Sequence, residues 1–287
     1  AVVTNLEADH LDVYGDLAGV RTGFRTFLKG VRAGGRVAVC ADDTGASTLL
    51  AAVGEAGTTY GLSAGSRLRA VDVALDAGAT TCRIREEGVD RGRLALPARG
   101  LHNLRNALGA AAAARALGVD WDAIRSALTG FAGVGRRFER LGEAGGVCVV
   151  DDYAHHPTEI AATLEAARTS FPRARLVVAF QPHLYSRTRD FHREFGSAVS
   201  TADVVWITDV FPAREAPIPG VTGALVAQAA RDAGAAEVHY HEADLDDLPA
   251  TLAPSLREGD VLLTLGAGSV EHVGGEVLRI LEGAARA

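Results

Sequence analysis

The sequence predicts an α/β protein whose second half is a doubly wound, mostly parallel sheet. Three observations lead there. From Gly145 onward, short apolar runs alternate regularly with stretches of helical spacing. Four of those runs are followed at once by loops crowded with polar side chains, and open α/β sheets bind ligands outside the carboxyl ends of their strands. Before Gly100 the pattern is different. Short β-like runs separated by turn residues, from Thr58 to Leu96, read as antiparallel or mixed sheet, so a chain of 287 residues is expected to hold two domains.

In chain order, residues 1–16 give a strand end and then a loop carrying Glu7, Asp9, His10, Asp12 and Asp16. Carboxylates around an imidazole suit a hard cation or a Mg²⁺–phosphate group, and equally a solvated acidic loop. Leu17 to Val31 has helical apolar spacing, stopped by Gly34–Gly35; Arg36 to Cys40 reads as a strand and Thr48 to Val53 as part of a helix. At Gly100 the text changes to GLHNLRNALGAAAAARALG, a long small-residue helix whose opening turn carries His102, Asn103 and Asn106. Asn103 and Asn106 are three apart and share a helix face. Their amides can meet both donor and acceptor edges of a purine, although Asn at a helix start is also an ordinary cap. A second helix is expected from Trp121 to Leu128. The Gly-rich GFAGVGRRFERLG follows, offering Arg136 and Arg137 as an anion clamp and a domain boundary near residue 138.

The second half predicts strands at 146–151, 175–180, 203–209, 236–240 and 260–265, with helices at 158–169, 189–200, 221–233, 245–256 and 269–284. The stretch VVDDYAHHPTEI, Val149 to Ile160, carries the densest chemistry: Asp151, Asp152, Tyr153, His155 and His156 lie between an apolar run and Pro157, which suits a first helical turn. His155, close to a helix N-terminus, is expected to favour the neutral ring. After the second strand comes QPHLYSRTRD with His183, Tyr185, Arg187 and Arg189. DVFPAREAP follows the third, with Asp209, Arg214 and Glu215, and GAGSVEH follows the last. Glycines in that final loop free backbone N–H groups at a helix start for an anion. No GxxxxGK[ST] phosphate loop occurs, and Lys29 is the only lysine.

Composition narrows the classes. Hydrophobic content of 48%, charged content of 23% and net charge −7 describe an ordinary globular chain and argue against a general nucleic-acid surface. The alanine tract Ala110–Ala114 is too short for membrane insertion, and no signal peptide is recognisable. Cys40, Cys82 and Cys148 are widely spaced in apolar runs, which suggests reduced core thiols and a cytoplasmic location. The chain opens inside an apparent strand and contains no methionine, so it reads as a piece of a longer protein.

Taken together, TNLEADHLDVYGD, GLHNLRNALGAAAAARALG, GVGRRFERLG, VVDDYAHHPTEIAATLEAAR, AFQPHLYSRTRDF, ADVVWITDVFPAREAP and GDVLLTLGAGSVEH resemble the Mur ligase family over nearly the whole chain. DDYAHHPTE and FQPHLYSRTR look like its alanine-adding members. The resemblance implies residues 1–137 as the later part of a central ATPase domain. Residues 138–287 would be a Rossmann-like C-terminal domain binding ATP and amino acid, with the UDP-binding domain and the phosphate loop in a missing N-terminal segment. It implies ATP and Mg²⁺ as cofactors and UDP-N-acetylmuramate and L-alanine as substrates of peptidoglycan synthesis. It implies His10 as a Mg²⁺ ligand, Asn106 and Asn103 at adenine, Arg137 at the phosphates, and Asp151 or Asp152 at the ribose. Tyr153, His155, His183 and Arg187 would form the amino-acid pocket, with His155 and Arg187 nearest the chemistry. The carbamylated lysine of several sisters has no match here, since Arg25 occupies that neighbourhood. Without a phosphate loop this chain is expected not to ligate by itself. A muropeptide-recycling ligase, a metal-dependent hydrolase using Asp151, Asp152, His155, His156 and His183, and a non-catalytic nucleotide-binding module are the alternatives.

Overall fold

Two six-stranded sheets organise the computed structural model, which describes residues 1–76 and 79–286. Ala77 and Gly78, inside the β-rich stretch read from the sequence, and Ala287 lie outside the described residues. The chain divides into two compact units, Ala1–Ala132 and Gly133–Ala287.

In the first unit β1 (Val2–Val3) leads through α1 (Leu11–Tyr14) and α2 (Leu17–Lys29) to β2 (Val37–Cys40). Asp16 caps α2 by accepting from Gly19 N at 2.8 Å. The stretch Thr48–Val53, read as part of a helix, holds only the single turn α4 (Leu50–Val53); a separate turn, α3 (Thr44–Ser47), precedes it and is capped by Asp43. Then come β3 (Gly57–Gly61), β4 (Leu68–Leu75), β5 (Thr80–Glu86) and β6 (Val89–Leu96), followed by α5 (Leu101–Ala116) and α6 (Trp121–Thr129). The strands lie in sequence order: β1 to β4 are parallel, β4 to β6 antiparallel, so the sheet is mixed as expected. The small residues of α5 have a packing purpose. A Cβ on Gly109 would sit 3.0 Å from the Tyr60 ring and 3.1 Å from Val2, so glycine there lets α5 approach β1 and β3 without displacing either side chain.

The second unit opens with β7 (Glu139–Ala144), a strand that the sequence pattern did not reveal because its residues are mostly polar and exposed. It pairs antiparallel with β8 (Val147–Asp152) across the positive-φ pair Gly145–Gly146. Next come α7 (Pro157–Ser170), β9 (Leu176–Phe180), α8 (Tyr185–Val199), β10 (Val204–Thr208), α9 (Gly223–Asp232), β11 (Val238–His241), α10 (Leu248–Leu252), β12 (Val261–Leu265) and α11 (Glu271–Arg286). The strand order β11-β10-β9-β12-β8-β7 is parallel except at β7. Side chains alternate across the sheet. Cys148 and Val150 of β8 enter one core with Ile160, Leu164, Phe195 and Val226, whereas Val147 and Val149 enter the other with Leu248, Leu252, Val273 and Val277. Two boundaries differ from the sequence reading. The helix expected at 245–256 is a short α10 between 3₁₀ turns, because Pro249 and Pro254 interrupt its hydrogen bonding. α8 begins at Tyr185 and not at Arg189, for a reason found in a distant loop.

Because β12 is inserted between β8 and β9, the carboxyl ends of these three strands are adjacent. The loops after β8, β9 and β12 therefore meet at one edge, and the loop after β10 joins them through a parallel bridge between His183 and Phe211.

Candidate functional site

The edge of the second unit is built on Arg136. Its Nε donates to Asp151 at 2.9 Å, its Nη2 to the Gly266 carbonyl at 2.7 Å, and its Nη1 pairs with Glu271 at 2.8 Å. One planar fork thus ties the segment before β7, the end of β8 and the loop after β12 together. Arg136 takes a positive φ of 58° to do this. All three guanidinium nitrogens are committed inward, so the clamp read from the Arg136–Arg137 pair is halved. Arg137 is exposed and only 3.8 Å from a Glu159 oxygen. Both guanidinium groups lie near the Tyr153 ring, at 5.1 and 5.4 Å from its centroid.

The two aspartates are turned into the protein. Asp151 is 2% exposed and its second oxygen accepts from Thr264 Oγ1 at 2.6 Å. Asp152, 4% exposed, accepts backbone N–H from Phe138 and Ala154, each at 2.8 Å. Burial raises the Asp152 pKa, and those two N–H donors oppose the shift. The residues of the hydrolase alternative are placed differently from one another. Both carboxylates are spent on the fold, His156 packs edge-on against Phe191, and among the described residues no group of three His, Cys, Asp or Glu is arranged to hold a metal ion.

Three rings and a guanidinium do converge. Tyr153 and His155 are edge-to-face with centroids 5.0 Å apart, and His155 and His183 likewise at 5.8 Å. His155 Nδ1 lies 2.9 Å from the Tyr153 carbonyl, which can only accept, so Nδ1 carries the proton and Nε2 is the basic nitrogen of the neutral ring. Glu159 receives backbone N–H from His155 and His156, and one of its oxygens is 3.3 Å from His155 Nδ1. A carboxylate therefore faces the same ring as the helix dipole, a second influence that the sequence reading did not weigh. Arg187 is 5% exposed and its Nη1 is 3.3 Å from His183 Nδ1. Guanidinium only donates, so His183 Nδ1 accepts and the ring is neutral. Its pKa is pushed down to about 4, first by burial, then by the charge of Arg187.

Behind this group, Gln181 Oε1 accepts from Val270 N at 3.1 Å, tying the loop after β9 to that after β12. Phe211 stacks on His183 at 5.7 Å. Gly268 lies where a Cβ would sit 2.5 Å from both Gln181 Oε1 and the Phe211 ring. Arg136, Glu159, Gln181 and Phe211 were not singled out from the sequence for these roles. The motif signal for Arg136 was present, but its direction was not.

In the first unit, His10 is exposed, has a φ of 52°, and lies 3.7 Å from an Asp9 oxygen. Asn106 is exposed, while Asn103 donates to the Arg99 carbonyl at 2.7 Å, so part of its amide serves the helix start. Between them Arg105 pairs with Asp42 at 3.1 Å. Asp42 also accepts from the backbone N–H of Leu62 and Ser63 and the Ser63 hydroxyl. Burial would raise its pKa, but the Ser63 hydroxyl and these N–H groups outweigh it and lower it. The Asn-bearing turn of α5 is thereby pinned to the carboxyl ends of β2 and β3. All three cysteines are buried, and no helix among the described residues is long and apolar enough to cross a membrane.

Comparison with known proteins agrees with this architecture. Residues 1–114 match the Mur ligase middle domain and residues 136–268 the Mur ligase glutamate ligase domain. The chain is 42% identical over 98% of its length to the UDP-N-acetylmuramate–L-alanine ligase of Salinibacter ruber, covering 59% of that protein. It is 46% identical over 95% of its length to the enzyme of the same name from Oleidesulfovibrio alaskensis, covering 60%. Among solved structures it resembles the UDP-N-acetylmuramate-alanine ligase of Thermotoga maritima, with a TM-score of 0.78 and 26% identity, covering 99% of this chain and 59% of that one. A murein peptide ligase from Psychrobacter arcticus shares the fold at 24% identity and a TM-score of 0.67, covering 98% of this chain and 57% of that one. The chain spans about three fifths of the length of the curated relatives it matches.

Proposed function

This chain belongs to the Mur ligase family, and from that premise we propose that it is the later nucleotide-binding and amino-acid-binding part of an ATP-dependent ligase joining L-alanine to UDP-N-acetylmuramate. One observation carries the acceptor site. A buried guanidinium, Arg187, is anchored to a neutral His183 beside His155 and Tyr153, at the carboxyl edge of a parallel sheet. A planar fork that stays charged is suited to an amino-acid carboxylate. His183, unable to compete for protons near neutral pH, leaves that charge undiluted.

The chemistry proceeds by transfer of the γ-phosphoryl group to the muramate carboxylate. The alanine amine then attacks the acyl carbonyl, and phosphate leaves. The amine must first lose its ammonium proton. His155 Nε2 is the group proposed to take it, while Nδ1 is held by the Tyr153 carbonyl. Arg137, the exposed member of its pair, is proposed to meet the phosphates. Asn106, with Asn103, is proposed to read adenine, and Asp151 or Asp152 to support the nucleotide from within the loop they shape. A divalent cation held with the phosphates near His10 would neutralise developing charge. The loop there offers a few oxygen donors, Glu7 (already bonded to Asn5) among them, but no three such groups of the described residues are arranged to hold an ion by themselves, so the phosphates would have to supply the remaining ligands.

The test uses the intact gene product. L-Alanine-dependent phosphate release with UDP-N-acetylmuramate, ATP and Mg²⁺ is expected there and not from the 287-residue chain alone, which has no GxxxxGK[ST] phosphate cradle. Turnover with a peptide acceptor in place of L-alanine would favour the recycling reading. No turnover with either would leave a nucleotide-binding module.

A further inference from the structure

We propose that Glu215 is the positioning residue of the amino-acid site: from the loop after β10 it caps α8 and thereby aims Arg187 at the acceptor's carboxylate, an inference that rests on the acceptor reading above. α8 has no cap of its own. Its N-cap residue, Leu184, has a φ of 68° and makes no side-chain cap. Ser186 in the first turn gives both its donors to Glu215 instead: its backbone N, one of the orphan donors of the helix start, donates to one carboxylate oxygen at 2.9 Å and its hydroxyl to the other. This contact brings together residues 29 apart in sequence.

The two loops are fastened to each other on either side of that contact. Leu184 N donates to the Phe211 carbonyl at 2.9 Å and Phe211 N to the Pro182 carbonyl at 2.8 Å. Asp209 holds the far end of the loop by accepting from Gly223 N at 3.0 Å. Between these anchors Ala213 adopts a φ of 50°, a conformation that surrounding contacts must impose on a residue with a Cβ. Arg187 follows Ser186 directly, and His183 precedes the αL residue Leu184. The Arg187–His183 hydrogen bond therefore closes over the very turn that Glu215 caps. Without the cap, a non-glycine αL residue at an open helix end relaxes, and the first turn frays with Arg187 in it.

Glu215 does not itself hold the substrate. Its oxygens are taken by Ser186, and a carboxylate repels a carboxylate. This gives the proposal a sign. If Glu215 acted only through its charge, removing it would tighten binding of an acceptor carboxylate at Arg187. If it positions Arg187, removal weakens binding.

The experiment compares the chain with Glu215→Ala, Glu215→Gln and Ser186→Ala, following L-alanine binding by calorimetry and the His183 tautomer by ¹⁵N NMR. The wild type is expected to hold His183 as the Nε2–H tautomer. Glu215→Ala should weaken L-alanine binding about tenfold and give a tautomer mixture. Glu215→Gln, which keeps an acceptor for Ser186, should fall between, as should Ser186→Ala. Unchanged or tighter alanine binding in Glu215→Ala together with an unchanged His183 spectrum overturns the proposal. If Glu215→Ala does not fold, the same two readouts in Glu215→Gln and Ser186→Ala decide it. Should the wild type bind no L-alanine, the acceptor reading falls, and the capping role stands or falls on the His183 spectrum alone.

Discussion

Replacing Arg136 with methionine should cost the second unit far more than a surface charge would. The side chain is 22% exposed and its main partner, Asp151, only 3%. Removing the guanidinium leaves Asp151 buried with Thr264 Oγ1 as its remaining described partner. Breaking a buried pair from one side costs about 3–5 kcal/mol. The pair with Glu271, 40% exposed, adds at most about 1 kcal/mol. Methionine keeps the stem and the backbone cost of the 58° φ, so the difference reports the guanidinium. For a domain of this size the loss corresponds to a melting-point drop of about 6–20 °C. Trp121 and Trp206 are the only tryptophans and lie in different units, so urea unfolding in a Trp121→Phe background follows the second unit through Trp206. Adding Asp151→Asn should recover part of the loss, because the uncompensated charge is gone. A loss under about 1 kcal/mol, or single losses that simply add in the double variant, would refute the view of Arg136 as the tie of this edge.

Arg187→Lys keeps charge but loses the fork, so in the intact enzyme it should raise the KM for L-alanine about tenfold or more with a smaller effect on kcat; an unchanged KM counts against the acceptor site. Gly268→Ala drives a Cβ to 2.5 Å from Gln181 Oε1 and the Phe211 ring, and should destabilise by about 1–3 kcal/mol in the same unfolding assay. His183 titrates near 4 in the fold against about 6.5 unfolded, so between those values the unfolded state binds more protons. Its contribution therefore destabilises the fold as pH falls from about 6.5 toward 4, and the slope should flatten in His183→Gln when the two are compared by urea midpoint. Asp42, whose pKa is lowered, contributes stability that is present above the ordinary carboxylate range and lost as pH falls below it; in Asp42→Asn the first unit should show a shallower loss in acid.

Much of this protein is legible in one dimension. Apolar runs bounded by Gly and Pro located the parallel strands of the second unit within a residue or two, since a strand buried on both faces must be apolar throughout. The switch from β-rich text to the small-residue helix at Gly100 located the end of the first sheet, and the loops that follow strands named the residues near the edge. What the sequence left undecided was direction and partnership. Arg136 and Arg137 are adjacent and chemically identical, yet one is consumed by Asp151, Glu271 and Gly266 while the other is exposed, a choice made by a φ of 58° and by strands far apart in sequence. The sequence marked Asp151 and Asp152 as dense chemistry but not their burial, which arises because β12 inserts beside β8 and brings Thr264 against Asp151, while Phe138 and Ala154 hold Asp152. The start of α8 was misplaced because its cap, Glu215, belongs to another loop. Strand β7 was missed because an exposed edge strand needs no apolar pattern. Local propensity and periodicity are properties of neighbours in the chain. Which of two like charges is buried, and which carboxylate caps which helix, depends on contacts between segments that only the folded sheet brings together.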